Sequence, residues 1–507
     1  MSAKEETVTL GGASSQQPEH ELPLRPLELT VPAASHQDRD DGSERSGYEG
    51  SDSDSSTADS TSTYAYSHEP YKTFQEKAHA LASSLGDFGI ILLERLRGGS
   101  SNRVVIARLK CKAGGSVDGV FRIPRFPEIT PSPEANEAVN DEDGQGIDCN
   151  ILDQAAVLQF LQSRAIPVPK LLAFDASADN AIDSPYTLQT CSPGVPLHKI
   201  YESTSVQQKL SVSDAVVDVL LSAERTAFSR CGYLRMAQDS QRQAKASYLF
   251  ESSGAELAVQ VGDLSLVSQD APPNSLSNFL AMNLQHWHER EVTFGNINPV
   301  TTMWKGLCEL VPEMQAHGMF DFATERSASI TDTILYHWDL EPRNILVKKA
   351  GASWLIDMVI DWDQVLAVPV VLARKPLIWL WDFCDEFAHS SLASDYDGDV
   401  DLYPPGRYDV SSGRLSVEDQ QLRQRFEDRF IDGLAQICDG YSREAYDEEA
   451  YGKGRWVRRV ARFAMYGASS STDLTRFERL DRDWSAFIGG SKTTDTSEPV
   501  EDDLIEL

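Results

Sequence analysis

Hydrophobic and polar positions fall into distinct regimes along this chain. Over residues 1–70 apolar side chains are sparse and aperiodic, with GSERSGYEGSDSDSSTADSTST at the centre. Such a segment cannot bury enough apolar surface to offset its conformational entropy, so disorder is expected over 1–70 and over the acidic stretch 491–507. Periodicity begins near Tyr71, with a helical spacing over Phe74–Leu85. Two β-type runs, Ile90–Leu96 and Arg103–Leu109, flank Gly98-Gly99-Ser100-Ser101-Asn102, and a third run covers Val117–Ile123. Residues 127–148 are rich in Pro, Glu and Gly and read as a loop. In Asn150–Arg164, Ile151, Ala155, Leu158 and Leu161 recur at helical spacing, and SPYTLQTCSPGVPL reads as a strand entering a Pro-Gly loop.

Beyond residue 191 the pattern turns mainly helical. Helices are expected over Val206–Arg230, Asn278–Arg290 and Met303–His317, with an irregular insertion at 237–275. Ser416 and Asp419 form a capping signature ahead of Leu422, Phe426, Phe430 and Leu434, and Arg455–Met465 and Thr472–Phe487 complete the body. Early strands followed by a helical majority predict an α+β fold.

One stretch breaks the helical run: LYHWDLEPRNILVKKAGASWLIDMVIDWD, from Leu335 to Asp363. Glu-Pro-Arg forbids a regular helix, so His337, Asp339 and Asn344 lie in a polar turn. Ile345–Val347 and Trp354–Ile360 then form a β-hairpin turned at Lys-Lys-Ala-Gly. A hairpin brings its ends together, which sets Asn344 near Asp361 with Asp339 close by. Two carboxylates and a carboxamide are hard oxygen donors suited to Mg²⁺. A hairpin with ordinary turn polars is the plainer alternative.

Composition narrows the function classes. The 507 residues carry a net charge of −32. Residues 1–70 hold 14 acidic against 4 basic residues and 491–507 hold 6 against 1, which leaves −17 on the body. That balance excludes nucleic acid and anionic lipid as natural partners. The seven cysteines are scattered without a CxxC pair, as expected of reduced thiols in a cytoplasmic protein and not of a zinc site. No run of about 18 apolar residues exists to span a membrane. Asp395-Tyr-Asp397-Gly-Asp399-Val-Asp401 has its glycine at position four and Gly406 at position twelve, which fits an acidic loop better than a calcium loop.

H-x-D-L-x-x-x-N followed by I-D-W resembles the catalytic core of the aminoglycoside phosphotransferase and choline kinase family, which shares the protein kinase-like fold. The Arg-Ile-Pro at 122–124 is similar to that of fungal-type members. The resemblance implies a bilobal architecture: an N-lobe over 71–190 with an antiparallel sheet plus helix, and a C-lobe over 191–490. It also implies ATP and Mg²⁺, with Asp339 accepting or orienting a substrate hydroxyl and Asn344 and Asp361 holding the metal. His337 belongs to the same catalytic turn, as its brace. Gly98, Gly99, Ser100 and Asn102 correspond to the nucleotide loop, although a glycine hairpin alone is equally an ordinary turn. Arg122 takes the place of the phosphate-contacting third-strand base, and the backbone from Leu188 to Thr190 takes that of the adenine hinge. Where the family has a helix glutamate to pair with that base, this chain has Gln154, with Asp153 beside it. Asp363 is either an assistant to Asp361 or a solvated carboxylate.

Two functions follow as expectations. One is an ATP-dependent phosphotransferase acting on a small-molecule hydroxyl, with cationic acceptors among the candidates; Asp382, Asp385 and Glu386 could meet an amine or form a solvated helix face. The other is a nucleotide-binding pseudokinase with a regulatory or scaffolding role, favoured by Gln154 and the long tail. Trp-Asp after Asp361 and the lack of an A-P-E segment disfavour a protein kinase.

Overall fold

Alternation along the early strands decides how the first sheet is built. The computed structural model describes residues 71–85, 88–95, 102–111, 114–124, 146–237, 247–249, 259–261, 274–293, 299–363, 365–382, 415–468 and 471–491. The expected disorder of both tails, Gly98, Gly99 and Ser100 of the glycine hairpin, and the acidic Asp395–Asp401 loop therefore lie outside the described residues.

Helix α1 (Tyr71–Ser84) precedes strands β1 (Phe88–Arg95), β2 (Asn102–Cys111) and β3 (Ser116–Pro124). Helix α2 (Gly146–Ser163) follows, then β4 (Leu171–Asp175), β5 (Tyr186–Thr190) and the short β6 (Val195–Pro196). Next come α3 (Val206–Glu224), β7 (Ala227–Phe228), β8 (Gly232–Met236), β9 (Ser247–Leu249) and β10 (Val259–Val261). Helices α4 (Leu276–Thr293) and α5 (Pro299–Ala316) lead to β11 (Thr333–Tyr336), β12 (Ile345–Ala350), β13 (Ser353–Val359) and β14 (Leu366–Pro369). Helices α6 (Val370–Ala373), α7 (Val417–Ala435), α8 (Arg443–Ala450), α9 (Lys453–Tyr466) and α10 (Ser471–Ser491) close the described chain.

Among the described residues all strand pairings are antiparallel, in three sheets ordered β1-β2-β3-β5-β4-β9, β10-β8-β14-β11-β7 and β13-β12-β6. Val105, Ala107 and Leu109 of β2 point inward with Phe121 and Ile123 of β3, and α1 covers them with Phe74, Ala78 and Leu81. The chain is thus α+β, with an antiparallel sheet first and a larger, mainly helical part after it. No helix among the described residues is long and apolar enough to cross a membrane.

The β12–β13 hairpin is seated in the largest core. Ile345, Val347 and Val359 pack with Ile151, Ala155 and Leu158 of α2, Val212 and Val216 of α3, and Leu422 and Phe426 of α7. The Val359 amide also donates to Pro167 O at 2.7 Å, fixing the returning strand to the segment after α2. A second core joins α4, α5, α9 and α10 through Leu280, Trp304, Leu307, Val460 and Trp484.

The chain departs from the sequence pattern in three places. The helix expected over Val206–Arg230 ends at Glu224, because Thr226 Oγ1 bonds back to Ser222 O at 3.0 Å and Ala227–Phe228 pair with Ile334 and Thr333. The insertion at 237–275 contributes β9 and β10, which extend two different sheets. Eight-residue α8, REAYDEEA, is too charged for hydrophobic periodicity to reveal.

Helix α7 crosses α3 at Gly433, where a β-carbon would overlap the end of the Leu221 side chain. Gly433→Ala is therefore expected to lose about 1–3 kcal/mol to overpacking, read as a lower denaturation midpoint with an unchanged slope.

Candidate active site

Pro342 sets the backbone of a single 3₁₀ turn, Pro342–Asn344, and that turn delivers the polar residues to the mouth of the β12–β13 hairpin. His337 locks its other side. Its Nδ1 accepts the Asp339 amide at 3.1 Å and its Nε2 lies 3.0 Å from Ile360 O. These partners require the proton on Nε2, donated to the carbonyl. Burial lowers the imidazole below its ordinary range, against the raising influence of Ile360 O and Asp339. Trp362 meets the ring edge-on at 4.6 Å between centroids. His337 thus fixes the backbone of the turn to that of Ile360.

Asp339 sits at the surface of this frame with its side chain 34% exposed. Arg343 Nη2 donates to both of its oxygens, at 2.5 and 2.6 Å. Asn344 Nδ2 donates to Asp339 Oδ2 and to Asp339 O, each at 2.9 Å. The Ile360 amide donates to Asn344 O at 2.9 Å, so Asn344 and Asp361 are brought to one end of the hairpin.

Asp361 adopts a left-handed φ of +67°, a conformation that Asp tolerates better than most residues. Its carboxylate faces the N-terminal sheet. From β3, Arg122 Nη2 reaches Asp361 Oδ1 at 2.9 Å and Asp363 Oδ2 at 2.8 Å. Asn102, at the start of β2, donates to the same Asp363 oxygen at 3.3 Å. Burial alone would lower the Arg122 guanidinium, but Asp363 and Asp361 together hold it above its ordinary range. Burial pushes the Asp363 carboxyl up, with Arg122 opposing and Asp361 adding to the rise. Asp363 is an ion-pair partner that tethers the sheet to the hairpin, not a solvated carboxylate.

The helix partner proposed for Arg122 is elsewhere. Asp153 Oδ1 accepts the Met236 amide at 2.8 Å, and Gln154 is buried. Burial raises the Asp153 carboxyl to about 6, against the lowering influence of the Met236 amide and Arg235. Such a group stabilises the fold as pH falls, because the native state takes up a proton between about 6 and the unfolded value near 4 that the unfolded state does not. Asp153→Asn keeps an acceptor for Met236. Its melting temperature is expected to lose the gain that the parent protein shows between pH 7 and 5, measured by calorimetry at both pH values.

On β5, Leu188 is fully buried within the β3-β5-β4 ladder, and the Thr190 amide donates to Lys170 O at 2.8 Å. The Cys191 amide donates to Asp118 O. The segment after them is tied to the hairpin by Ser192 Oγ, which donates to Asp357 Oδ2 at 2.5 Å, and by β6 pairing with β12. Lys348 completes this contact at 2.6 Å from Asp357, and despite burial these bonds hold the Asp357 carboxyl below its ordinary range.

Among the described residues no group of three or more His, Cys, Asp or Glu side chains is placed to hold a metal. The donors that fit Mg²⁺ here are the Asn344 amide oxygen and the Asp361 carboxylate, which is 44% exposed. Such a pair suits an ion that keeps waters and takes its remaining ligands from phosphate oxygens. Arg343 was not anticipated from sequence, and Asn102 was expected in the nucleotide loop but not as a partner of Asp363. Arg343 stands four residues after Asp339 and could have been found by that spacing, whereas nothing local links Asn102 to Asp363, 261 residues away.

No protein-family model matches this chain, and no curated protein matches it. Several solved structures follow a similar course. One, from Ralstonia eutropha and described as a candidate aminoglycoside phosphotransferase, is 13% identical over 83% of this chain and 98% of its own, with a TM-score of 0.41. The streptomycin–ATP ternary complex of APH(2″)-IIa is 10% identical over 78% and 92%, with a TM-score of 0.37. A glucosamine kinase is 9% identical over 82% and 84%, with a TM-score of 0.33. No residue role follows from likeness at this level.

Proposed function

We propose that this chain is an ATP- and Mg²⁺-dependent phosphotransferase that moves the γ-phosphate to a hydroxyl of a small molecule. Residues 71–190 form its nucleotide-binding N-lobe and 191–490 its C-lobe. The observation that carries the reading is the catalytic turn. A reachable carboxylate, Asp339, is fixed by Arg343 and Asn344 beside the hairpin end where Asp361 meets a cation from the opposing sheet.

In this reading Asp339 Oδ1 or Oδ2 orients the acceptor hydroxyl and takes its proton as the oxygen becomes a nucleophile. Arg343 and Asn344 hold that carboxylate in one rotamer, and His337 keeps the turn in place through Ile360. Asn344 and Asp361 would hold Mg²⁺, which supplies charge neutralisation at the phosphate oxygens. Arg122 is positioned to transfer its charge from Asp361 and Asp363 to a bound phosphate, as a bidentate donor. The glycine hairpin at 98–100, with Asn102, is proposed to cover the phosphates and the backbone around Leu188–Thr190 to flank the base.

One observation favours the second reading, a nucleotide-binding pseudokinase. Both oxygens of Asp339 are engaged by one guanidinium nitrogen. Thermal melting tests both readings together and does not tell them apart. Mg²⁺-ATP is expected to raise the melting temperature of the parent protein and not of Asp361→Asn; the absence of any Mg²⁺-dependent shift would remove both readings.

A further inference from the structure

Two cavities meet at the turn that carries Asp339. One, about 650 Å³ including its mouth, is lined by Asp339 together with Ala461 and Met465 of α9. The other is about 780 Å³ including its mouth, within the usual size of a small-molecule pocket. Tyr336, Trp338, Glu341 and Lys375 line both, so the two share a wall. The second cavity is mainly apolar. Helix α3 contributes Val219, Leu220 and Ala223 to it, the segment after α6 Leu377 and Ile378, and α7 Phe430. The polar groups of its wall have partners inside the protein. Trp362 Nε1 donates to Val359 O at 2.9 Å and Trp379 Nε1 to Leu340 O at 3.2 Å. His337 uses one ring nitrogen on the Asp339 amide and the other on Ile360 O. Glu224 is bound by Arg374, and neither Glu341 nor Lys375 is free. A polyhydroxylated ligand would give up water there for few bonds in return, a penalty that a hydrocarbon skeleton escapes. Trp338 stands at the junction, 39% exposed, with Tyr466 packed on its ring at 3.9 Å between centroids. Trp338 and Leu340, which line the apolar cavity, are the chain neighbours of Asp339.

From this we infer that the acceptor is an apolar alcohol: a hydroxyl carried on a mainly hydrocarbon skeleton, aliphatic or aromatic. The inference rests on the phosphotransferase reading in making the cavity of Asp339 the site of transfer. The skeleton fills the cavity beside α3, crosses Trp338, and brings its hydroxyl to Asp339. There the hydroxyl oxygen bonds to the γ-phosphorus, the bond from that phosphorus to the bridging oxygen of ADP breaks, and the hydroxyl proton passes to Asp339. Of the acidic residues thought able to meet an amine, Asp382 lines neither cavity, and Asp385 and Glu386 lie outside the described residues.

The probes are n-butanol, n-hexanol, n-octanol and phenylethanol, with sorbitol as the polar control and choline as the cationic one. Binding to the full chain is followed by calorimetric titration with Mg²⁺-ADP present, and transfer is followed with γ-labelled Mg²⁺-ATP. Affinity is expected to rise by about four-fold per added methylene until the cavity is full, as for burial of CH₂ groups. The heat-capacity change of binding should be negative, and at least one of the apolar alcohols should yield its labelled phosphate ester. Ala223→Phe, which fills the cavity, and Leu377→Gln, which makes its wall polar, are expected to remove the chain-length dependence; either one with an unchanged melting temperature suffices. Affinity independent of chain length, length dependence that survives both substitutions, or sorbitol or choline bound as tightly as octanol would overturn the inference and leave the phosphotransferase reading standing. Alcohols that bind by length but receive no phosphate would overturn the acceptor assignment. A labelled product from a metabolite extract under the same conditions would then keep the phosphotransferase reading, and its absence would remove that reading too.

Discussion

Replacing Asp339 by Asn is expected to slow phosphoryl transfer by about 10²- to 10⁴-fold, the range for removing a positioned proton acceptor. The side chain keeps its shape, and an amide oxygen can still accept from Arg343 and Asn344, which now bind Asp339 at 2.5–2.9 Å. What is lost is the ability to take a proton from the attacking hydroxyl. The side chain is also part-exposed, so the substitution removes little burial. Melting temperature and Mg²⁺-ATP binding should stay close to those of the parent protein while initial rates fall. A comparable fall in nucleotide affinity would place Asp339 in ground-state binding instead.

Arg374→Met is expected to have the largest effect on stability, about 3–5 kcal/mol. Arg374 is 1% exposed and donates through Nε and Nη2 to Glu224 at 2.8 and 3.1 Å, and through Nη1 to Glu449 at 3.1 and 2.9 Å. Tyr441 Oη donates to the same Glu449 at 2.5 Å, and Ser327 Oγ adds another bond to it. Removing the guanidinium leaves buried Glu449 without its cation and Glu224 with only Arg326, at 3.7 Å. The network ties the end of α3 to α8 and to the segment after α6, so its loss should lower the melting temperature of the whole chain. Arg108→Met is the internal comparison. Arg108 and Asp118 are 51% and 44% exposed, and breaking that pair should leave the melt unchanged.

The parts of this molecule that sequence reveals are those governed by local periodicity. The strands around the glycine hairpin, the hairpin at Ile345–Val359, and the helix capped by Ser416 all lie within a few residues of where their patterns place them. The polar turn before that hairpin follows from Pro342 and from the antiparallel return of the chain. Long-range electrostatics is where sequence fails. Arg122 finds Asp361 and Asp363 at separations of 239 and 241 residues, and no spacing rule chooses them over Asp153 or Gln154 on α2. Asp153 instead serves the Met236 amide, a partner created only when β8 packs against α2. Arg374 reads in sequence as a stray charge inside an apolar run, because Glu224 and Glu449 lie 150 and 75 residues away. The cavity beside Asp339 likewise joins residue 375 to α9 across a long stretch of chain.

The central claim is that the turn carrying Asp339 transfers phosphate to small alcohols. Its most direct test is incubation of the full chain with γ-labelled ATP, Mg²⁺ and a total metabolite extract, followed by separation of labelled products. The account predicts a labelled small molecule, formed together with an equal amount of ADP and missing when Asp339→Asn is used. Stabilisation by Mg²⁺-ATP with no labelled product from the extract or from a broad panel of hydroxyl compounds would contradict it.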